Sequence, residues 1–266
     1  MQPIKTKKIT KKLKKIICST SIILLTFFLK TSVSAQTILD FETGAVFSGY
    51  NNVRIPGNLG TYFSFKDDLK AKTKLFYRLR ASYVIKTRHT LSLLYAPLET
   101  KSQGSVANDI LFEGILFNAN TQLVGTYKFN SYRLTYRYDI VNKSNIVFGV
   151  GLTAKIRDAK IALSSPGLTS EKTNVGFIPI INFRLLLKVD DKFGLLLDGD
   201  ALAAPQGRAE DVLIAATYKC SDNFGIRAGY RILEGGADND NVYNFALFNY
   251  ASVGLTYTFK NKNASN

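Results

Sequence analysis

Basic residues recur two or four positions apart along this 266-residue chain: Arg78 and Arg80, Arg133 and Arg137, Lys155 and Arg157, Arg227 and Arg231. On a β-strand this spacing puts both members of a pair on one face, because successive side chains point to opposite sides. Arg184 completes a set of nine cations so placed. Four carboxylates occupy matching faces, Asp40 and Glu42 in one segment, Asp198 and Asp200 in another. The chemistry open to this set is ion pairing or attraction of anions. A guanidinium forks onto a carboxylate through two N–H groups, and a charge taken out of water is too costly to leave alone. The spacing therefore predicts a charged interior, either plugged by ion pairs or hydrated and leaning toward anions.

Other reactive groups are sparse. His89 is the one histidine, and histidine is the usual general base at neutral pH. It follows Lys86-Thr87-Arg88, so it reads as a solvated turn residue, and no catalytic residue is assigned. One His and two Cys leave little material for zinc or iron–sulfur chemistry. Glu234–Asn241 gathers oxygen ligands and glycines but lacks the EF-hand spacing; it reads as a solvated loop, and no metal is assigned. Pro205–Asp211 reads as a tight connection in which Arg208 pairs with a neighbouring loop carboxylate. There is no phosphate-binding glycine loop and no strand–helix dinucleotide fingerprint, so no cofactor is expected.

The elements that must position the charges begin after residue 35. Met1–Lys15 is basic, Ile16–Leu29 is apolar, and Val33-Ser34-Ala35 is a small-residue cleavage site, the three parts of a secretory signal peptide. The apolar run is shorter than the roughly 20 residues of a spanning helix. The chain carries 35 basic and 20 acidic residues, net +15. Eight of the cations lie in the leader; removing them leaves 27 against 20, or +7, too mild for a nucleic-acid partner.

Short alternating segments fill the remainder, at about 37–49, 73–86, 89–98, 124–140, 145–163, 173–189, 192–203, 209–219, 223–233 and 243–259. Ten strands are expected, with eight or twelve also compatible. Tight turns at 86–88, 141–144, 190–191 and 221–222 alternate with longer connections at 50–72, 99–123, 164–172 and 234–242. This is the habit of a transmembrane barrel with periplasmic turns and outer loops. The faces opposite the cations are apolar: Leu75, Tyr77, Leu79, Ala81 and Tyr83 in one strand, Phe224, Ile226, Ala228 and Tyr230 in another. Aromatic residues cluster at the turn ends (Tyr83, Tyr138, Phe148, Phe193, Tyr218, Phe224, Tyr257, Phe259), as an interfacial girdle requires. A soluble lipocalin-like barrel would reverse the faces; strand length, girdle and last strand favour the membrane form.

In that last strand Val253, Leu255, Tyr257 and Phe259 alternate with Gly254, Thr256 and Thr258. It resembles the C-terminal signal read by barrel-assembly machinery, followed here by a polar tail. The mature chain resembles small bacterial outer-membrane β-barrel proteins of the OmpA and OmpX kind. The stretches VRIPGN, SLLYAPL, FNSYRLTYRYD, LAAPQGRAEDV and LEGGADNDNVYNFALF also resemble a sequence family of outer-membrane proteins without an assigned activity. The resemblance implies an all-β, antiparallel up-and-down barrel over 36–259, between a signal peptide (1–35) and a short tail (260–266). It implies residence in the bacterial outer membrane, with membrane lipid and lipopolysaccharide as neighbours and barrel-assembly machinery as a partner. The expected role is structural or interactive rather than enzymatic. A narrow anion-leaning pore is the alternative, and an enzyme acting on envelope lipid is less favoured.

Overall fold

The computed structural model describes residues 35–205 and 207–259. The expected signal peptide, apart from Ala35, and the tail 260–266 lie outside the described residues. Fourteen strands are present, with no helix among the described residues: β1 (Ala35–Arg54), β2 (Phe63–Ser64), β3 (Lys74–Ile85), β4 (His89–Ala96), β5 (Glu99–Gly104), β6 (Ile110–Phe112), β7 (Ile115–Phe117), β8 (Leu123–Asn142), β9 (Ile146–Ser165), β10 (Leu168–Lys188), β11 (Phe193–Ala204), β12 (Gly207–Lys219), β13 (Phe224–Asn239) and β14 (Val242–Phe259).

Ten wall positions close into one antiparallel barrel, since β14 returns to pair with β1 from Thr37↔Phe259 to Arg54↔Tyr243. β4 and β5 share one position, running in turn along β8 on either side of Pro97. Closure leaves no sheet edge, which a wall standing in hydrocarbon would require, since an edge there would leave its N–H and C=O groups without partners. At Gly44, φ is 143° and a Cβ would stand 2.0 Å from the Ala251 carbonyl, so only glycine lets β14 approach there.

One end of the barrel carries only tight turns. In the β3–β4 turn Lys86 and Thr87 have φ of 49° and 62°, the left-handed geometry that suits a twisted hairpin. At the β10–β11 turn the backbone N–H groups of Phe193 and Lys192 bind the Asp190 carboxylate and hold its pKa below the ordinary value.

The loop end differs from the sequence expectation. The segments 164–172 and 234–242 are not long loops: β9 and β10 meet at residues 166–167, and β13 and β14 at 240–241. Alternation persists through both, so the strands continue past the apolar belt and end in hairpins. The Asn239 side chain accepts hydrogen bonds from the N–H groups of Asn241 and Val242, which makes it a turn cap rather than a free ligand. The long connections are 55–73 and 105–122, and both fold inward. They bring Phe63, Phe65, Leu69, Phe112 and Phe117 against Val46, Tyr127, Leu163 and Phe248 as a buried apolar stopper. Burying that much aromatic surface is what draws the loops in.

The outer wall is apolar. Leu152, Leu93 and Ile214 are 68%, 62% and 63% exposed, and the outward parity of most strands repeats the pattern. Tyr83, Tyr138, Phe193, Phe224, Tyr257 and Phe259 are exposed at the turn end, where the girdle was expected. If this wall meets lipid, Leu79→Arg lowers stability by about 2–4 kcal/mol at mid-depth. Urea unfolding in detergent micelles measures it, and an unchanged midpoint contradicts lipid exposure.

Candidate functional site

The nine cations and four carboxylates all take the lumen face of their strands, and most converge below the stopper. Asp211 of β12 is the hub. It accepts from Arg78 of β3 at 2.9 and 3.3 Å, from Arg133 of β8 at 2.5 Å and from Arg231 of β13 at 2.5 Å. Arg133 reaches on to Asp200 of β11 at 2.6 Å, and Asp200 also accepts from Thr153 and Asn182. Arg231 continues to Glu42 of β1 through two hydrogen bonds of 2.8 and 2.9 Å. Glu42 further accepts from Arg227 at 3.0 Å and Ser252 at 2.9 Å, while Arg227 forks onto Asp40 at 2.7 and 2.8 Å.

A second arm lies nearer the turns. Arg80 of β3 donates to Asp198 of β11 at 2.7 Å, and Arg184 of β10 pairs with the same carboxylate at 3.6 Å. Arg137 binds Asp139 on its own strand at 3.1 Å. These bonds cross the lumen between strands far apart in sequence, so the barrel is braced internally. Most of the groups are nearly dry, a setting where a charge is tolerable only with its partners in place.

Lys155 and Arg157 depart from expectation. Both face inward, but neither pairs with a carboxylate among the described residues. Lys155 Nζ sits 4.8 Å from the centre of the Phe129 ring, and Arg157 binds the Asn174 side chain. Asp200 and Asp211 are engaged by Arg133, and the groups in direct contact with the two cations are Phe129 of β8 and Asn174 of β10.

Three residues escaped the sequence reading. Asp211 falls in a segment read as a connection, although its parity with buried Leu213 and Ala215 marks it as inward. Asp139 precedes a β-bulge between Asp139 and Val141 that interrupts the alternation. Glu234, read as part of a loop, belongs to β13 and pairs with Arg208 at 2.7 Å while accepting from Tyr50. Arginine stems fill the space at two lumen glycines: a Cβ at Gly254 would lie 2.5 Å from Arg227 Cζ, and one at Gly149 would meet Asp139 and Arg137.

At the turn end the lumen opens into a vestibule of about 840 Å³ lined by Arg184, Lys188, Asp190, Thr217, Lys219 and Arg227 among others. His89 stands on the outer wall, its Nδ1 2.8 Å from the Tyr136 hydroxyl and its ring 5.0 Å from Tyr138. Val253, Leu255, Tyr257 and Phe259 line the outward face of β14. Cys220 is exposed at the β12–β13 turn.

The fold is similar to that of the outer membrane protease OmpT from Escherichia coli, with 12% identity and a TM-score of 0.50 over 86% of this chain and 99% of that one. Lower TM-scores relate it to an outer membrane channel from Pseudomonas putida F1 (0.41, 10% identity, 86% and 97% covered). The attachment invasion locus protein Ail of Yersinia pestis is also similar (0.34, 13% identity, 84% and 99% covered). No family model and no curated protein matches the sequence. At these identities the likeness is one of fold: this chain is a closed ten-stranded barrel of the bacterial outer-membrane kind.

Removing the hub tests the network. Asp211→Asn leaves three guanidiniums short of an anion and lowers stability by about 3–5 kcal/mol. Lys160→Gln, which breaks an exposed pair with Glu171 at 3.6 Å, costs less than about 1 kcal/mol. Equal midpoints for the two variants in urea would remove the network's structural role.

Proposed function

We propose that this protein resides in the bacterial outer membrane as a shut barrel, exported by its signal peptide. Its turn end faces the periplasm, and its role is structural or interactive at the cell surface. The observation that carries this reading is the double closure of the lumen. Arginine–carboxylate bonds span it from β3, β8 and β13 to β12 and β1, and the inward-folded loops fill it above them with buried aromatic side chains. A conducting barrel of this size would need a hydrated path past both.

The loop-end wall suits the lipid around it. Arg54 lies 5.2 Å from the Tyr243 ring centre and Arg208 lies 4.9 Å from that of Phe245, a cation–aromatic row fitted to the phosphates of lipopolysaccharide. The outward alternation of Val253, Leu255, Tyr257 and Phe259 supports recognition by assembly machinery. A narrow anion-leaning pore draws its support from Lys155 and Arg157, the lumen cations without carboxylates. Against enzymatic chemistry, the one histidine sits among outer-wall tyrosines at a turn.

Protein purified from the outer-membrane fraction and inserted in a planar bilayer is expected to pass no steady current, with its folding verified by heat-shifted gel mobility. Stable conductance with anion preference, weakened in Arg227→Glu, would replace this reading by the pore.

A further inference from the structure

The barrel wall is incomplete on one side. β10 pairs with β9 along its whole length, from Leu168↔Ser165 to Leu187↔Ile146. With β11 it pairs only from Ile181↔Ala201 to Lys188↔Gly194. Extending that register would set residues 178–180 against 202–204, but those β11 residues pair only with β12. Pro179 occupies the unpaired lip and has no N–H to offer a partner strand. The lip lies within the apolar belt, since its outward residues Val175, Phe177 and Ile181 are among the most exposed apolar side chains of the wall. The facing lip, Ala201–Ala204, is built largely from alanine. The apolar packing of the stopper draws little on this side: β11 and β12 contribute nothing to it and β10 only Leu168, while Glu113 of the 105–122 loop reaches Lys172 of β10 at 2.9 Å. Open backbone edges at membrane depth persist only where protein, water or a polar ligand satisfies them.

Behind the gap lie the two lumen cations without carboxylates. Arg157 is the register partner of Gly176 on β10, and its guanidinium rests over that glycine, where a Cβ would lie 3.3 Å from Nη2. One nitrogen binds Asn174, while Nε is buried without a partner. Lys155 follows two residues along the same face. It is 2% exposed, its ammonium group standing 4.8 Å from the centre of the Phe129 ring. A buried ammonium and a half-buried guanidinium with an unused Nε donor stand side by side and offer a receptor for an anionic group.

We propose that the gap between β10 and β11 admits an anionic amphiphile from the surrounding leaflet, its phosphate or carboxylate held by Arg157 and Lys155. The chain of the amphiphile lies along the lip beside Phe177 and Ile181. This inference rests on the membrane placement proposed above and does not depend on whether the lumen conducts.

The test is native mass spectrometry of the detergent-extracted protein offered equal amounts of phosphatidylglycerol and phosphatidylcholine. The wild type is expected to retain one phosphatidylglycerol in preference. Arg157→Gln and Lys155→Met are each expected to weaken that retention about tenfold, the loss of one charge-assisted hydrogen bond. Lys160→Gln, on the outer face nearby, retains it. Heat-shifted mobility selects the folded variants, and either of the two suffices. Absence of lipid preference, or equal retention in all variants, overturns the site. Millimolar inorganic phosphate distinguishes the source: if it binds where phosphatidylglycerol does not, the site takes a free anion and the lateral route is overturned. A protein that is monodisperse without detergent overturns the membrane placement itself, a failure separable from loss of lipid preference.

Discussion

Three guanidiniums, from β3, β8 and β13, share the single carboxylate of Asp211, and the interior is organised around that sharing. A ten-stranded wall encloses more width than its inward side chains fill if they are small and apolar, and lipid outside leaves polar residues nowhere else to go. Arginine meets both demands, being long enough to cross the lumen and able to bind two carboxylates at once. Arg133 does this with Asp200 and Asp211, and Arg231 with Glu42 and Asp211. Because Arg133 and Arg231 are each held from two sides, moving one strand disturbs partners several strands away. The network sets the barrel's cross-section as well as its charge balance.

Much of this was legible from alternation alone. A period of two assigns each residue to one face or the other without knowledge of the partner strand, so local pattern alone puts Arg78, Arg80 and Arg227 on the charged face and Leu79 on the apolar one. The hub was hidden because Asp211 falls where the expected strand 209–219 overlaps the expected connection Pro205–Asp211, although Leu213 and Ala215 carry the same parity. What the pattern withholds is the identity of partners across the lumen, which depends on strand order and register around the whole ring. Hence Lys155 looked like one more member of an ion-pair set, yet it meets an aromatic ring. The gap beside β10 was likewise illegible, since a missing hydrogen-bond ladder leaves no mark on the strand that lacks it beyond one proline. The loops 55–73 and 105–122 advertised length but not direction; their phenylalanines were the available signal that they turn inward.

The fold likeness to OmpT extends to the architecture of the wall and stops there. In this chain arginines and carboxylates fill the braced interior, and at the loop end exposed Lys66, Asp67, Asp68 and Asp109 lie over the buried aromatic cluster. Its wall carries two irregular features, the interrupted side beside β10 and the cation–aromatic row of Arg54 and Arg208 on the outer face.

The stopper and the ion network also act in series on anything charged that would pass. A transient break among the arginines would wet the lower lumen from the vestibule, but an ion arriving there would next face Phe65, Phe112, Phe117 and Phe248, where its solvation energy has no replacement. Leakage along that path would require both barriers to open. The lumen thus holds two barriers of opposite chemistry in series, one of ion pairs and one of packed aromatic rings.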